Sequence, residues 1–114
     1  MSNDSPRRGE IWWVDRGTPM GHDQGGNRPA LILSVNPFIR GPDLVGGLPL
    51  TTRAKHICSH VAVPPPEGGL SEPSFIQCED IRFVSRARLM ERIGQVTPTT
   101  LRSAETIIRY LLGL

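Results

Sequence analysis

Short apolar runs, separated by turns rich in glycine and proline, dominate the hydrophobic pattern of the chain. The clearest run lies within Glu10–Asp15 and reads Ile11, Trp12, Trp13, Val14. Because side chains alternate along a strand, the two tryptophans are predicted to point to opposite faces. A strand that is apolar on both faces is either buried or half covered by a partner chain. Both tryptophans are therefore expected in the core, with one of them at an interface as the alternative.

Six further segments have the length and composition of strands. They are residues 28–35, 44–50, 60–63, 74–78, 81–84 and 91–96. Residues 36–42 are predicted to form a turn, residues 85–90 a short helical turn, and the Gly46–Gly47 pair a bulge or bend.

The last segment has the pattern of an amphipathic helix. Thr97 and Pro98 suit the N-cap and the first helical position, and Gly113 suits the stop. One apolar stripe recurs at helical spacing and consists of Leu101, Ala104, Ile108 and Leu111. The pattern predicts a mainly β, α+β domain: an antiparallel barrel-like sheet carrying a C-terminal α-helix. Residues 8–114 would form this single domain, after a flexible N-terminus at residues 1–7.

Composition narrows the class of protein. The 114 residues fit one globular domain, and the net charge of +2 is too small to indicate nucleic-acid binding by itself. All basic residues except Lys55 are arginines, which suits phosphate recognition and equally suits a GC-rich genome. No apolar run approaches the roughly 20 residues that span a bilayer. The polar first residues and the unpatterned Cys58 and Cys78 favour a cytoplasmic protein with reduced thiols.

The polar loop at residues 21–29 offers His22, Asp23 and Arg28 just before an apolar strand. The spacing of histidines and cysteines matches no metal site, and phosphate-binding and nucleophile-elbow motifs are absent, so no metal and no cofactor is expected. Metal-free attack of an RNA 2′-hydroxyl on its own phosphodiester needs a base, an acid and donors to the developing charge. Histidine, arginine and threonine can supply these groups.

Each of these residues also has a purely structural interpretation. Arg28 could pair with a carboxylate at the edge of the core, Thr51 and Thr52 are common strand residues, and His22 suits a solvated turn. Residue types alone leave both interpretations open.

Four motifs in order resemble those of the MazF/PemK/Kid toxins. They are RGEIW at 8–12, GHDQGGNRP at 21–29, PLTT at 49–52 and CEDIR at 78–82. The resemblance runs from about Arg8 to the C-terminal helix. It implies an SH3-like barrel of the CcdB/MazF type that forms a homodimer and cleaves single-stranded RNA without a metal. The expected products carry a 2′,3′-cyclic phosphate and a 5′-hydroxyl. A cognate antitoxin with a disordered C-terminal tail would cover the active groove.

The same resemblance implies roles for individual residues. Arg28 and Thr51 match the persistent catalytic pair, with Glu79 or His22 as the base. Glu79 replaces an aspartate of the Kid branch and Gln77 replaces an arginine. The residues expected to bind RNA are His22, Gln24, Asn27, Thr52, Arg53, Lys55, His56, Gln77 and Arg82. Two alternatives stay open: a CcdB-like toxin that binds gyrase, and an inactive relative that only binds antitoxin or RNA.

Overall fold

The computed structural model describes residues 5–15, 17, 26–40 and 43–114. Its elements are β1 (Glu10–Asp15), β2 (Asn27–Ile32), α1 (Asn36–Arg40), β3 (Leu44–Thr51), β4 (His60–Val63), β5 (Ser74–Gln77), β6 (Arg82–Ser85), β7 (Leu89–Gln95) and α2 (Pro98–Leu112). Short 3-10 turns occur at Glu67–Gly69 and Arg86–Arg88. All seven strands and the C-terminal helix predicted from sequence are present. Within the predicted turn at 36–42, a short helix forms instead.

The seven strands form one antiparallel sheet in the order β4-β5-β3-β2-β1-β7, and β6 also pairs with β3. One edge of β3 pairs with β2; the other pairs first with β6, from Leu44 to Gly47, and then with β5, at Leu50 and Thr51. Among the described residues β7 pairs with neither β4 nor β6, so the sheet is not closed. The mainly β fold with a C-terminal helix is confirmed, but its barrel is an open one.

The main core lies between one face of the sheet and α2. Its buried residues are Ile11, Leu31, Leu48, Leu50, Val63, Ile76, Cys78, Val96, Ala104 and Ile108. Thr97 caps α2 by accepting a hydrogen bond from the backbone of Thr100, and Gly113 ends the helix in the left-handed region, as predicted. Of the predicted apolar stripe, Ala104 and Ile108 are buried, whereas Leu111 in the last turn is 43% exposed. Across the sheet, Trp12 packs in a second cluster with Ile32, Val45 and Leu89.

Glu10 ties strand β1 to its surroundings. Its buried carboxylate accepts hydrogen bonds from the backbone N–H of Arg7 and from Trp12 Nε1, each at 2.9 Å. Arg92 Nε lies 2.9 Å from the other oxygen. Strand β1 is therefore held to the N-terminal segment and to the neighbouring strand β7. The predicted flexibility of residues 1–7 stays a prediction.

The Gly46–Gly47 pair was predicted to mark a bulge or bend. Both residues pair with β6 without a register shift, whereas on the β2 side the N–H groups of Leu33 and Ser34 both bond to Gly46 O. The ring of Phe83 explains the first glycine, since a Cβ at Gly46 would lie 2.7 Å from it. The carbonyl of Leu31 lies 2.8 Å from where a Cβ of Gly47 would be. Close packing across the sheet, rather than a bend, requires glycine here.

Within the part of the chain that is described, no helix is long and apolar enough to cross a membrane.

Candidate active site

An open depression lies where β1, β2, β3 and β5 approach one another. We call it the polar depression; it is lined by Trp13, Gly26, Asn27, Arg28, Pro29, Leu50, Thr51, Thr52 and Ser74. Arg28, Thr51, Asn27 and Thr52 were all predicted from the sequence to act on RNA. The structure brings these four together.

Strand register explains why Arg28 and Thr51 meet. Strands β2 and β3 are antiparallel, with Ala30 opposite Pro49. Arg28 and Thr51 lie two residues further along their strands, beyond the last paired residues of this ladder, and both line the polar depression. Pro29 restricts Arg28 to an extended backbone, which gives its side chain a defined direction. The pair is thus positioned by two rigid strands.

Arg28 and Thr51 both have side-chain hydrogen-bond donors that no described residue uses. Arg28 is partly buried and pairs with Val14 through its backbone, but its side chain makes no hydrogen bond or ion pair within the described residues. Thr51 is buried, and its Oγ1 accepts the backbone N–H of Arg53 at 3.2 Å. In the described part of the chain no bond uses the hydroxyl hydrogen of Thr51. A guanidinium and a hydroxyl donor therefore converge on one small area, an arrangement suited to an anionic phosphate.

Trp13 and Ser74 also line the polar depression, and sequence reasoning did not select them for it. Trp13 is 37% exposed, whereas its neighbour Trp12 is 5% exposed. The prediction that both lie in the core was therefore wrong for Trp13. The available signal was that β1 is apolar on both faces. One of the two tryptophans could therefore lie outside the core. No comparable signal marked Ser74.

Glu79 does not line the polar depression. Thr51 pairs with Phe75 in β5, and Glu79 lies four residues further along the chain, beyond the end of β5 at Gln77. Its Oε1 accepts the Ser59 hydroxyl at 2.7 Å, and its Oε2 lies 3.1 Å from His60 Nε2. Partial burial would raise the pKa of Glu79, but the hydrogen bonds from Ser59, its own backbone and His60 outweigh burial and lower it. This carboxylate is engaged with its neighbours.

Those of the remaining predicted residues that the structure describes do not line the polar depression. Arg53, Lys55 and His56 are exposed on the loop between β3 and β4. Gln77 is partly buried in β5, opposite His60. Arg82 Nε lies 2.8 Å from Asp80 Oδ1. His22 and Gln24 lie outside the described residues.

A second concavity adjoins the first across Arg28. We call it the apolar groove; it is lined by Val14, Arg28, Pro29, Ala30, Ile32, Val45, Gly47, Pro49, Arg82, Val84 and Leu89. Two arginines are its only charged lining residues among those described. No group of three or more histidine, cysteine or acidic side chains able to hold a metal occurs in residues 5–15, 17, 26–40 and 43–114.

Comparisons with known proteins agree on one family. The chain is 29% identical over 114 residues to endoribonuclease MazF9 of Mycobacterium tuberculosis, covering 95% of this chain and 97% of that protein. The crystal structure of MazF from Deinococcus radiodurans matches with a TM-score of 0.84 and 29% identity, covering 96% and 98% of the two chains. An endoribonuclease in complex with its cognate antitoxin, from Mycobacterial species, matches with a TM-score of 0.78 and 28% identity, covering 96% of each chain.

The family model that describes PemK-like, MazF-like toxins of type II toxin–antitoxin systems matches residues 7–112. This span contains every described strand, the C-terminal helix and both concavities. The chain therefore belongs to the PemK-like, MazF-like toxin family of type II toxin–antitoxin systems.

Proposed function

We propose that this toxin is a sequence-specific endoribonuclease that cleaves single-stranded RNA without a metal ion and so inhibits translation and growth. The observation that carries the proposal is the convergence of Arg28 and Thr51 in the polar depression. Relatives that align along nearly the whole chain are endoribonucleases by name, which supports the same reaction class.

The proposed reaction is an internal transesterification. The 2′-oxygen gives up its proton to a base and bonds to phosphorus, while the bond from phosphorus to the 5′-oxygen breaks. The leaving 5′-oxygen takes a proton from the protonated base or from water, which yields a 2′,3′-cyclic phosphate and a 5′-hydroxyl. Arg28 and Thr51 would donate hydrogen bonds to the phosphoryl oxygens, where negative charge grows in the transition state.

Of the two candidate bases, we favour His22 over Glu79. Both oxygens of Glu79 are occupied by Ser59 and His60, and its lowered pKa makes it a weaker base. Histidine has an ordinary pKa near 6.5, which suits proton transfer near neutral pH. His22 precedes Asn27, a residue at the rim of the polar depression, by five positions.

Trp13 provides a surface on which an unpaired base can stack. Single-stranded RNA is commonly held by stacking on aromatic side chains together with contacts to base edges. Trp13 lines the polar depression together with Asn27, Arg28 and Thr52, so one nucleotide could contact the ring and the polar groups together. The exposed basic side chains of Arg53, Lys55 and His56 would follow the RNA backbone, which favours binding at low salt.

We also propose that the toxin acts in the cytoplasm as a homodimer and is neutralised by an antitoxin. The apolar groove supports pairing, since its lining is apolar apart from two arginines. A structure neighbour is bound to its cognate antitoxin, which supports an antitoxin as partner. Its disordered C-terminal tail would cover the active groove at the polar depression.

The test is cleavage of a mixed-sequence single-stranded RNA in EDTA, with product ends mapped. Wild type should cut and leave 5′-hydroxyl ends, and Arg28→Ala should lose the activity. Arg102→Ala is the matched control, because Arg102 is exposed on α2 and lines neither concavity. If well-folded wild-type protein cuts no RNA, the proposal fails, and binding to gyrase becomes the next experiment.

A further inference from the structure

The loop from Thr52 to Ser59 connects β3 to β4, and we call it the basic loop. It carries Arg53, Lys55 and His56, all exposed. It starts directly after Thr51, in the polar depression. An RNA chain bound at Arg28 and Thr51 therefore runs towards this loop in one direction and away from it in the other.

The beginning of the basic loop is held by a site residue. Thr51 Oγ1 accepts the backbone N–H of Arg53 at 3.2 Å. His56 has φ 52°, in the left-handed region that residues other than glycine rarely adopt. A backbone conformation of this kind persists only where the surrounding structure enforces it.

Glu79 supplies the restraint at the far end of the basic loop. Its carboxylate accepts the hydroxyl of Ser59 at 2.7 Å and meets the imidazole of His60 at 3.1 Å. A backbone hydrogen bond from Cys78 N to Ser59 O, 3.1 Å long, adds a third link. The side chain of His60 is only 4% exposed, whereas that of Glu79 is 41% exposed. A partly exposed acid thus holds two buried groups where the loop enters β4.

The imidazole of His60 explains why a hydrogen-bond acceptor is needed at Glu79. His60 Nδ1 is buried and has no hydrogen-bond partner within the described residues. The neutral tautomer with its hydrogen on Nε2 donates to Glu79 and leaves only a lone pair at Nδ1. The other tautomer would bury an unpaired N–H, which costs about 1–3 kcal/mol. An acceptor at Glu79 therefore favours the tautomer with its hydrogen on Nε2.

We propose that Glu79 is a positioning residue, which fixes the end of the basic loop through Ser59 and His60 and so places Arg53, Lys55 and His56 for RNA binding. This inference rests on the proposed ribonuclease function and assigns Glu79 a role in substrate binding rather than in proton transfer. Because Ser59 and His60 lie about 20 positions before Glu79, only the fold brings the three together.

Steady-state kinetics separate the two roles of Glu79. Glu79→Gln keeps the size of the side chain but places an amide N–H₂ where one carboxylate oxygen was. A positioning role predicts a KM raised about tenfold with kcat within about twofold of wild type, since binding is lost in ground and transition states alike. His60→Phe should show the same change. Glu72→Gln is the matched control, as Glu72 is exposed and outside both concavities. A fall of kcat by about 100-fold or more at unchanged KM would identify a general base and overturn the proposal.

Hydrogen exchange tests the inference independently of cleavage. Backbone amides of residues 53–58 should exchange faster in Glu79→Gln and His60→Phe than in wild type or Glu72→Gln, while the amides of β1 and β2 stay protected. Equal exchange in all four proteins would overturn the positioning role, even if wild type cleaves RNA. If wild type does not cleave but the loop amides respond as expected, the ribonuclease proposal fails while the loop restraint stands.

Discussion

Trp12 and Trp13 are consecutive in β1 but occupy opposite environments. Trp12 is 5% exposed and donates its indole N–H to the buried carboxylate of Glu10 at 2.9 Å. Trp13 is 37% exposed and lines the polar depression beside Arg28. Alternation along one strand thus separates a side chain that stabilises the fold from one that is available to a ligand.

Replacing Trp13 by alanine should weaken RNA binding with little effect on stability. Stacking of one base on an aromatic ring is worth about 1–3 kcal/mol, so Kd should rise roughly 5- to 150-fold. Trp13→Phe keeps a ring and should lose much less. Fluorescence anisotropy with a 2′-O-methyl version of the mapped cleavage sequence measures Kd without turnover. An unchanged Kd for Trp13→Ala would show that no base stacks there.

Trp12→Ala should have the opposite effect. Removing a buried tryptophan typically costs about 3–5 kcal/mol of the free energy of unfolding. It also removes one hydrogen bond from the buried carboxylate of Glu10. Urea unfolding of the two variants compares them directly. Equal loss of stability in Trp12→Ala and Trp13→Ala would contradict the separation of roles.

Thr51→Val tests the hydroxyl of the candidate catalytic pair. Valine retains the branched shape in a buried strand position but cannot donate to a phosphoryl oxygen. Loss of one donor to a developing negative charge typically lowers kcat by about 100- to 1,000-fold. The loop contact to Arg53 N is lost as well, so a urea melt should accompany the kinetics. Thr106→Val, on the exposed side of α2, is the control. Full activity of Thr51→Val would remove the hydroxyl from the mechanism.

Gly94→Ala should destabilise the protein through overpacking. A Cβ at Gly94 would overlap the backbone carbonyl of Gly68 and lie 2.7 Å from Gly69 N. Because the obstructing atoms belong to the backbone, no side chain can rotate away, and a cost of about 1–3 kcal/mol or more is expected. Thermal melting measures it. A melting temperature equal to that of wild type would show that the 3-10 turn can move away from β7.

Glu67 makes stability depend on pH in the acid range. Burial raises its pKa, but hydrogen bonds from Thr100 and from the hydroxyl and backbone N–H of Thr97 outweigh burial and lower it from the usual 4.5. A group whose pKa is lower in the folded state stabilises that state above its unfolded pKa. The stabilisation is then lost as pH falls through the folded pKa.

Melting temperatures of wild type and Glu67→Gln from pH 7 to pH 3 test this dependence. Wild type should be the more stable protein at pH 7, and the difference should shrink below about pH 4.5. Glu72→Gln, at an exposed position, should follow wild type throughout. If the difference in melting temperature between wild type and Glu67→Gln stays constant from pH 7 to pH 3, Glu67 does not cause the loss of stability in acid.

The predicted strands differ from the observed ones by at most three residues at either end. The second strand ends at Ile32 instead of Val35, because the N–H groups of Leu33 and Ser34 both bond to Gly46 O and leave the regular ladder. For the site, the motifs identified Arg28, Thr51, Asn27 and Thr52, which the structure groups in one depression. They also indicated a catalytic role for Glu79, whereas its contacts are with Ser59 and His60.

Local patterns along the chain were sufficient for the seven strands, the capped helix and the family motifs, because alternation, capping and turn chemistry act between neighbours. Contacts between distant segments settled the rest. The sheet order left Trp13 open and buried Trp12. The pairing of β2 with β3 brought Arg28 and Thr51 into one depression, and the link between β5 and β6 brought Glu79 to Ser59, 20 positions earlier. Such contacts depend on which strands pair and in which register, and that choice is made by burial across the whole sheet rather than by any single segment.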